Sequence, residues 1–145
     1  MVTTERGRSG RTGAGPQQAR PTARQVTGNQ AEQRALDHLQ RQGLRLVERN
    51  YRLAGGPFAR GAEIDLILRE PDGTLVFVEV RARAGGAHGP GGGAAASVTT
   101  PKQRRIVRAA RHYLLRLPQL PPCRFDVVAI EGEQLHWLRA AFDAD

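Results

Sequence analysis

The segments Ala62–Arg69, AEIDLILR, and Thr74–Arg83, TLVFVEVRAR, decide the fold of this chain. Both are rich in branched aliphatic residues, and the turn-forming sequence Pro71-Asp72-Gly73 lies between them. This pattern predicts two antiparallel strands joined as a hairpin. Residues equally distant from the turn lie opposite each other in such a hairpin, so Asp65 is expected to face Glu79.

Side chains two residues apart share one face of a strand. On this basis Glu63, Asp65 and Ile67 share a face of the first of these strands, and Glu79 shares a face of the second with Arg81. Two carboxylates opposed across a ladder repel each other, and a bound cation would relieve that repulsion. Carboxylate oxygens suit Mg²⁺ or Mn²⁺. The alternative from spacing alone is a surface ion network with Arg60, Arg81 or Arg83.

A third acidic side chain is expected near this pair. The spacing of apolar residues predicts a helix from Asn29 to Gln42, with an apolar stripe formed by Ala31, Ala35, Leu36 and Leu39. Glu32 lies within that stripe rather than opposite it, four residues before Leu36. The helix therefore carries an acid on its core-facing side, at a desolvation cost.

The remaining segments complete a mixed α/β pattern. Strands are predicted at Leu44–Leu53, Arg124–Glu131 and Gln134–Arg139, and a second helix at Pro101–Leu117 with Thr100 as its N-cap. The order is thus α-β-β-β-α-β-β. The second helix carries Lys102, Arg104, Arg105, Arg108, Arg111 and Arg116 and no acid, which is typical either of a phosphate-contacting face or of a solvated face in an Arg-biased protein.

Composition divides the chain into a tail and one domain. Residues 1–27 are basic and poor in large apolar side chains, which predicts a disordered tail. Residues 28–145 form a single α/β domain, and the Gly-rich segment 84–96 is expected to be a flexible loop. The net charge of +8 favours an anionic partner such as nucleic acid. A lone cysteine, Cys123, and the lack of an apolar run or signal segment predict a cytoplasmic location without membrane association.

These residues resemble a known pattern. Asp65 followed by Glu79-Val80-Arg81 is similar to the D…(D/E)xK signature of the restriction-endonuclease-like, or PD-(D/E)XK, nuclease superfamily. The segments GNQAEQRALDHLQRQGLRLVERNYR, AEIDLIL, LVFVEVRAR, SVTTPKQRRIVRAARHYL and RFDVVAIEG occur in the order seen in the YraN-like family. That family is grouped by similarity with these nucleases and with archaeal Holliday-junction resolvases. The resemblance covers nearly all of residues 28–142, and none of the tail or the Gly-rich segment.

The resemblance implies a restriction-endonuclease-like fold, a mixed central sheet flanked by helices. It implies that Glu32, Asp65 and Glu79 bind Mg²⁺ or Mn²⁺. Arg81 stands where the signature has lysine, and it keeps the charge but cannot act as a general base. Lys102, the only lysine of the chain, matches a lysine at the start of the family's second helix and could supply an ammonium group. Ala62 stands where the family usually has glycine.

The function implied is metal-dependent endonuclease cleavage of nucleic acid, DNA in the first place, with branched or damaged DNA as a candidate substrate. Asp65, Glu79, Arg81 and Lys102 are then the catalytic candidates. Phosphate-contacting candidates on the second helix are Arg104, Arg105 and Arg108. A junction-cleaving enzyme would act as a homodimer, although no surface patch in the sequence identifies the interface. The alternatives are a non-catalytic nucleic-acid-binding module on the same fold, favoured by Arg81, and an interaction or scaffold protein. Asp126 is interpreted as structural, with an arginine partner.

Overall fold

The computed structural model describes Arg20, residues 23–83 and residues 98–144, with the backbone alone at 23–27. The elements follow the predicted order. They are α1 (Ala23–Arg41), β1 (Arg45–Leu53), β2 (Ala62–Arg69), β3 (Leu75–Arg83), α2 (Thr100–Leu114), β4 (Cys123–Glu131) and β5 (Gln134–Phe142). The predicted loop at 84–96 and most of the predicted tail at 1–27 lie outside the described residues.

The five strands form one mixed sheet in sequence order, β1-β2-β3-β4-β5. The pairs β1–β2, β2–β3 and β4–β5 are antiparallel, whereas β3 and β4 are parallel. The β2–β3 hairpin closes at the predicted turn, where Gly73 has a φ of 94° and its N–H donates to Glu70 O at 2.9 Å. Parallel strands cannot be joined by a tight turn, so α2 is carried in the crossover between β3 and β4.

The two helices cover opposite faces of the sheet, and each face has its own core. The α1-side core contains Ala31, Ala35, Leu36 and Leu39 of α1 with Leu66, Leu68, Val76, Val78, Val128 and Ile130 of the sheet. The α2-side core contains Ile106, Val107, Ala109, Ala110 and Tyr113 of α2 with Tyr51, Ile64, Ile67, Phe77, Phe125 and Val127. Because both faces are covered, β2, β3 and β4 have apolar side chains on both sides. None of the helices in the described part of the chain is long and apolar enough to cross a membrane.

Both helices differ from their predicted bounds. Helix α1 begins at Ala23, ahead of the predicted Asn29, and so includes the last residues of the predicted tail. The N-cap of α2 is Thr99, not Thr100, because the Thr99 side chain accepts the bond from Lys102 N. Helix α2 ends at Leu114 rather than at Leu117, since the N–H groups of Leu115 and Leu117 bond three residues back, in tighter turns that lead into the prolines.

Strand β5 continues beyond the predicted end at Arg139 to Phe142. It does so through a register shift at which Ala140 takes a φ of 49° and its N–H donates to Asp126 Oδ1 at 2.9 Å. The fully buried Asp126 also accepts from Arg124 Nε at 3.0 Å and from Trp137 Nε1 at 2.9 Å. The interpretation of Asp126 as a structural residue with an arginine partner is confirmed.

Candidate active site

The β2–β3 hairpin brings Asp65 to Glu79. Leu66 pairs with Val78 in the register that the turn predicts, and the regular ladder ends there. Beyond this pair, Val80 N donates to Asp65 Oδ2 at 2.8 Å, so a side-chain carboxylate takes the place of a main-chain acceptor. The strands separate where the two acids lie.

The alternation of side chains along β2 breaks at Asp65. Ile64 and Ile67 both pack in the α2-side core, whereas Leu66 packs in the α1-side core. The prediction that Glu63 and Ile67 share a face is therefore wrong. The break leaves Glu63 on the α1 side of the sheet, where it meets Glu32.

Helix α1 supplies the next acid. Ala31, Ala35 and Leu36 are buried against the sheet and fix the rotation of the helix, so Glu32 is held at the edge of the core. Carboxylate oxygens of Glu32, Glu63 and Asp65 all lie within 4.8 Å of one another. These three residues, each partly buried, are called the acidic cluster below.

Asn50 on β1 borders the acidic cluster. In the orientation of its amide that satisfies hydrogen bonding, the nitrogen donates to Glu63 Oε1 and to Glu32 Oε2, each at 3.2 Å. The residue adopts a φ of 51°, in the left-handed region that non-glycine residues rarely occupy. This backbone conformation directs a polar side chain toward two acids that would otherwise repel each other.

Glu79 is the most buried acid of the site, with 4 % of its side chain exposed. Lys102 Nζ lies 2.8 Å from Glu79 Oε1, and Arg81 Nη1 lies 3.9 Å from the same oxygen. Helix α2 therefore begins beside the site. This position is the condition under which Lys102 could supply an ammonium group there. Glu79 lies outside the acidic cluster, and its carboxylate is engaged by these two cations.

Burial and crowding oppose the ionisation of the acids. Burial, and next the negative charge of Glu79, raise the pKa of Asp65 to about 8, against the lowering effect of the Val80 N–H. Burial, and next the charge of Glu63, raise the pKa of Glu32, while Arg49 lowers it. A divalent cation would remove this cost, since it stabilises the ionised form of every acid that it contacts.

The donor set fits a hard divalent cation. Glu32, Glu63 and Asp65 offer oxygen ligands alone, which are the ligands that Mg²⁺ and Mn²⁺ prefer. Asn50 offers a further amide oxygen if its side chain turns.

The structure thus brings together five residues that the sequence singled out: Glu32, Asp65, Glu79, Arg81 and Lys102. Glu63 and Asn50 were missed as site residues. Glu63 precedes Asp65 by two positions and could have been found as a further acid in the same strand. Asn50 reaches the site because its φ is positive. The only sign of this in the sequence is that asparagine tolerates such a φ better than most residues do.

The three arginine candidates lie on α2, beyond Lys102. Arg104 and Arg108 line a cleft of about 280 Å³ together with Arg111 and Asp143. Arg108 donates to the main-chain oxygen of Arg60, and Arg111 donates to that of Ala144 at 3.3 Å. Within the described part of the chain, none of the arginines from Arg104 to Arg111 forms a salt bridge with a carboxylate.

Comparisons with a family model and with individual proteins assign this chain to the same family. The family model described as "Uncharacterised protein family UPF0102" matches residues 31–130. A UPF0102 protein of Methylibium petroleiphilum is 68 % identical over 119 residues, which are 82 % of this chain and 95 % of the relative. A UPF0102 protein of Cupriavidus taiwanensis is 63 % identical over 85 % of this chain and 87 % of its own, and one of Paracidovorax citrulli is 60 % identical over 87 % and 89 %. The chain belongs to the UPF0102 family, the YraN-like family that its sequence resembles.

Proposed function

We propose that this protein is a metal-dependent endonuclease that hydrolyses phosphodiester bonds in nucleic acid, with DNA as its first candidate substrate. The observation that carries the proposal is the convergence of Glu32, Glu63 and Asp65 within 4.8 Å, with Glu79, Lys102 and Arg81 beside them. Clustered acids next to two cations match the needs of phosphoryl chemistry, in which a metal and positive groups stabilise a developing charge.

We further propose that the mixed sheet with a helix on each face is a restriction-endonuclease-like fold. The antiparallel β1-β2-β3 unit followed by the parallel β3–β4 pair supports this proposal, as do the acids at the point where β2 and β3 separate. A cytoplasmic location is part of the same proposal, since one cysteine cannot form an internal disulfide.

Each side chain has a distinct task in this proposal. Glu32, Glu63 and Asp65 would hold Mg²⁺ or Mn²⁺, and Glu79 would complete or support that set. The bound ion would supply positive charge to the phosphate and lower the pKa of the attacking water. Arg81 remains protonated, so it would orient the phosphate or stabilise charge rather than accept a proton.

The test is a cleavage assay on duplex, single-stranded, flapped and four-way-junction DNA, with Mg²⁺, with Mn²⁺ and with chelator. The Asp65→Ala variant, purified in parallel, controls for a contaminating nuclease. Cleavage that requires metal and is lost in the variant supports the proposal. The endonuclease proposal is refuted if the wild-type protein cleaves none of these substrates in either metal.

A non-catalytic nucleic-acid-binding module is the second candidate. Arg81 favours it, because the signature position carries a side chain that cannot accept a proton. DNA binding that weakens with salt, without cleavage, would select this candidate. The absence of DNA binding would instead leave an interaction or scaffold protein.

A further inference from the structure

We propose that Lys102 is the counter-ion that a divalent metal displaces from Glu79, so that metal binding frees the ammonium to contact the substrate phosphate. This inference rests on the proposed metal-dependent function. It assigns Lys102 two positions, one in the metal-free protein and one in the loaded site.

Lys102 is in direct contact with a buried carboxylate. Lys102 Nζ lies 2.8 Å from a Glu79 carboxylate that is 4 % exposed, whereas 34 % of the Lys102 side chain is exposed. A buried carboxylate requires a compensating cation. The ammonium that supplies it lies at the border with solvent, on a flexible four-carbon stem, and can leave without any movement of the backbone.

A bound metal would compete with Lys102 for the same charge. Val80 N donates to Asp65 Oδ2 at 2.8 Å just beyond the Leu66–Val78 pair, so Asp65 and Glu79 lie beside each other on neighbouring strands. The charge of Glu79 accordingly raises the pKa of Asp65. A divalent ion bound to Asp65 would therefore lie within strong Coulomb reach of Glu79 and of the ammonium that rests on it. Two cations at one carboxylate repel each other, and the singly charged, partly exposed ammonium is the weaker competitor.

The released group would remain at the start of α2. Lys102 occupies the first turn of α2, and the same helix continues with Arg104, Arg105 and Arg108, for which no salt bridge exists in the described part of the chain. A phosphate drawn to this helix would meet the freed ammonium next to the acidic cluster. Arg81 Nη1 lies farther from the same carboxylate oxygen, at 3.9 Å, so the exchange concerns the closer ammonium.

The chain offers a site-specific reporter for this exchange, because Lys102 is its only lysine. Protein grown with lysine labelled with ¹³C at Cε gives one side-chain signal, which can be followed during titration with Mg²⁺ alone. The Glu79→Gln variant supplies the reference position of a lysine without its carboxylate partner. We expect the wild-type signal to move toward that reference, with the same midpoint as the rise in melting temperature caused by Mg²⁺.

A parallel set of variants tests the competition. Removing the charge by Lys102→Met should tighten Mg²⁺ binding about tenfold, equivalent to about 1.4 kcal/mol. Lys102→Arg keeps the charge and should stay close to the wild-type affinity. Arg41→Met removes an exposed charge near the end of α1 and should change nothing.

The outcomes separate this inference from the function on which it rests. A lysine signal that stays in place while Mg²⁺ raises the melting temperature overturns the exchange and leaves the metal site standing. Equal Mg²⁺ affinity in wild type and Lys102→Met overturns it as well. If Mg²⁺ changes neither the signal nor the melting temperature of the wild-type protein, the exchange and the proposed metal dependence both fail.

Discussion

Asp65 is an acid whose ionisation the fold opposes. Its pKa is about 8 in the folded chain because of burial and of the Glu79 charge, far above the ordinary value of 3.8. The stability that comes from keeping the group neutral is fully present below the ordinary value and is lost as pH rises toward 8. We expect Asp65→Asn, which cannot ionise, to stabilise the metal-free protein by about 1–2 kcal/mol at pH 8.5 while abolishing cleavage.

Thermal unfolding in chelator at pH 5 and at pH 8.5 measures this effect. The advantage of the Asp65→Asn variant over wild type should grow with pH. Glu133→Gln removes a charge from an exposed acid and serves as the control. A variant that is less stable than wild type at pH 8.5 would show that Asp65 is stabilising in its ionised form.

The sequence predicted the site only where the backbone follows regular hairpin and strand geometry. The turn at Pro71-Asp72-Gly73 was enough to place Asp65 opposite Glu79, because hairpin register follows from the turn. Glu63 was assigned to the wrong face, because strict alternation does not allow for the break at Asp65. Asn50 was missed because its position depends on a φ of 51° that no local pattern requires.

Helix α2 brings Lys102 to Glu79, so the start of this element matters for the proposed function. The Thr99 side chain accepts from Lys102 N at 3.4 Å, a long and therefore weak capping bond. We expect Thr99→Ala to destabilise the protein by about 0.5–1 kcal/mol, at the lower end of the range for capping residues. Thr100→Ala, one residue later, should change stability by only a few tenths of a kcal/mol, since alanine suits a helix interior.

Urea denaturation of the two variants distinguishes the two threonines as caps. Equal losses, or a greater loss for Thr100→Ala, would mean that the helix begins one residue later than in this structure. The same pair of variants reports on the site, because an unravelled first turn would withdraw Lys102 from Glu79. Thr99→Ala should therefore weaken cleavage more than Thr100→Ala.

Strands β4 and β5 are joined by a buried polar centre at Asp126. Its carboxylate accepts from Arg124, Trp137 and the Ala140 N–H, and Arg124 also reaches Glu70 Oε1 at 2.8 Å beside the β2–β3 turn. Asp126→Ala would leave the guanidinium without its buried partner and two N–H donors unsatisfied. We expect a loss of about 3–5 kcal/mol in the free energy of unfolding, measured by urea denaturation.

A conservative and a remote substitution complete that test. Asp126→Asn keeps one acceptor but turns an amide nitrogen toward donors. The free energy of unfolding of this variant should therefore lie between those of wild type and Asp126→Ala. Glu133→Ala, at an exposed position, should be neutral within about 0.5 kcal/mol. If Asp126→Ala lowers the free energy of unfolding by less than about 1 kcal/mol, water replaces the carboxylate and this polar centre contributes little to stability.

The elements themselves were predictable wherever local chemistry decides them. Strand β2 has its predicted bounds, because an apolar run between turn residues leaves little freedom. Strand β5 runs past its predicted end because tertiary contacts extend it: the bond from Ala140 N to Asp126 carries the strand through an irregular position. Nothing local to residues 139–142 encodes that bond.

At the scale of the whole molecule, opposite charges are segregated around the site. The acids gather where β2 and β3 separate beneath α1, and the basic side chains of α2 extend away from them without acids of their own. The chain has a net charge of +8, and the acidic cluster is a local exception to this positive balance.

This segregation predicts how DNA binding depends on salt. Each phosphate neutralised by an arginine contributes about −0.9 to the slope of log affinity against log salt for duplex DNA. We expect Arg104→Ala and Arg105→Ala each to reduce the steepness of that slope by about one unit and to weaken binding to all duplex sequences alike. Fluorescence anisotropy with a labelled duplex in chelator, from about 50 to about 200 mM salt, measures the slope without cleavage.

Arg41→Ala, at an exposed position near the end of α1, should leave the slope unchanged. If instead all three variants flatten it equally, the overall charge attracts DNA and α2 has no special part in the contact.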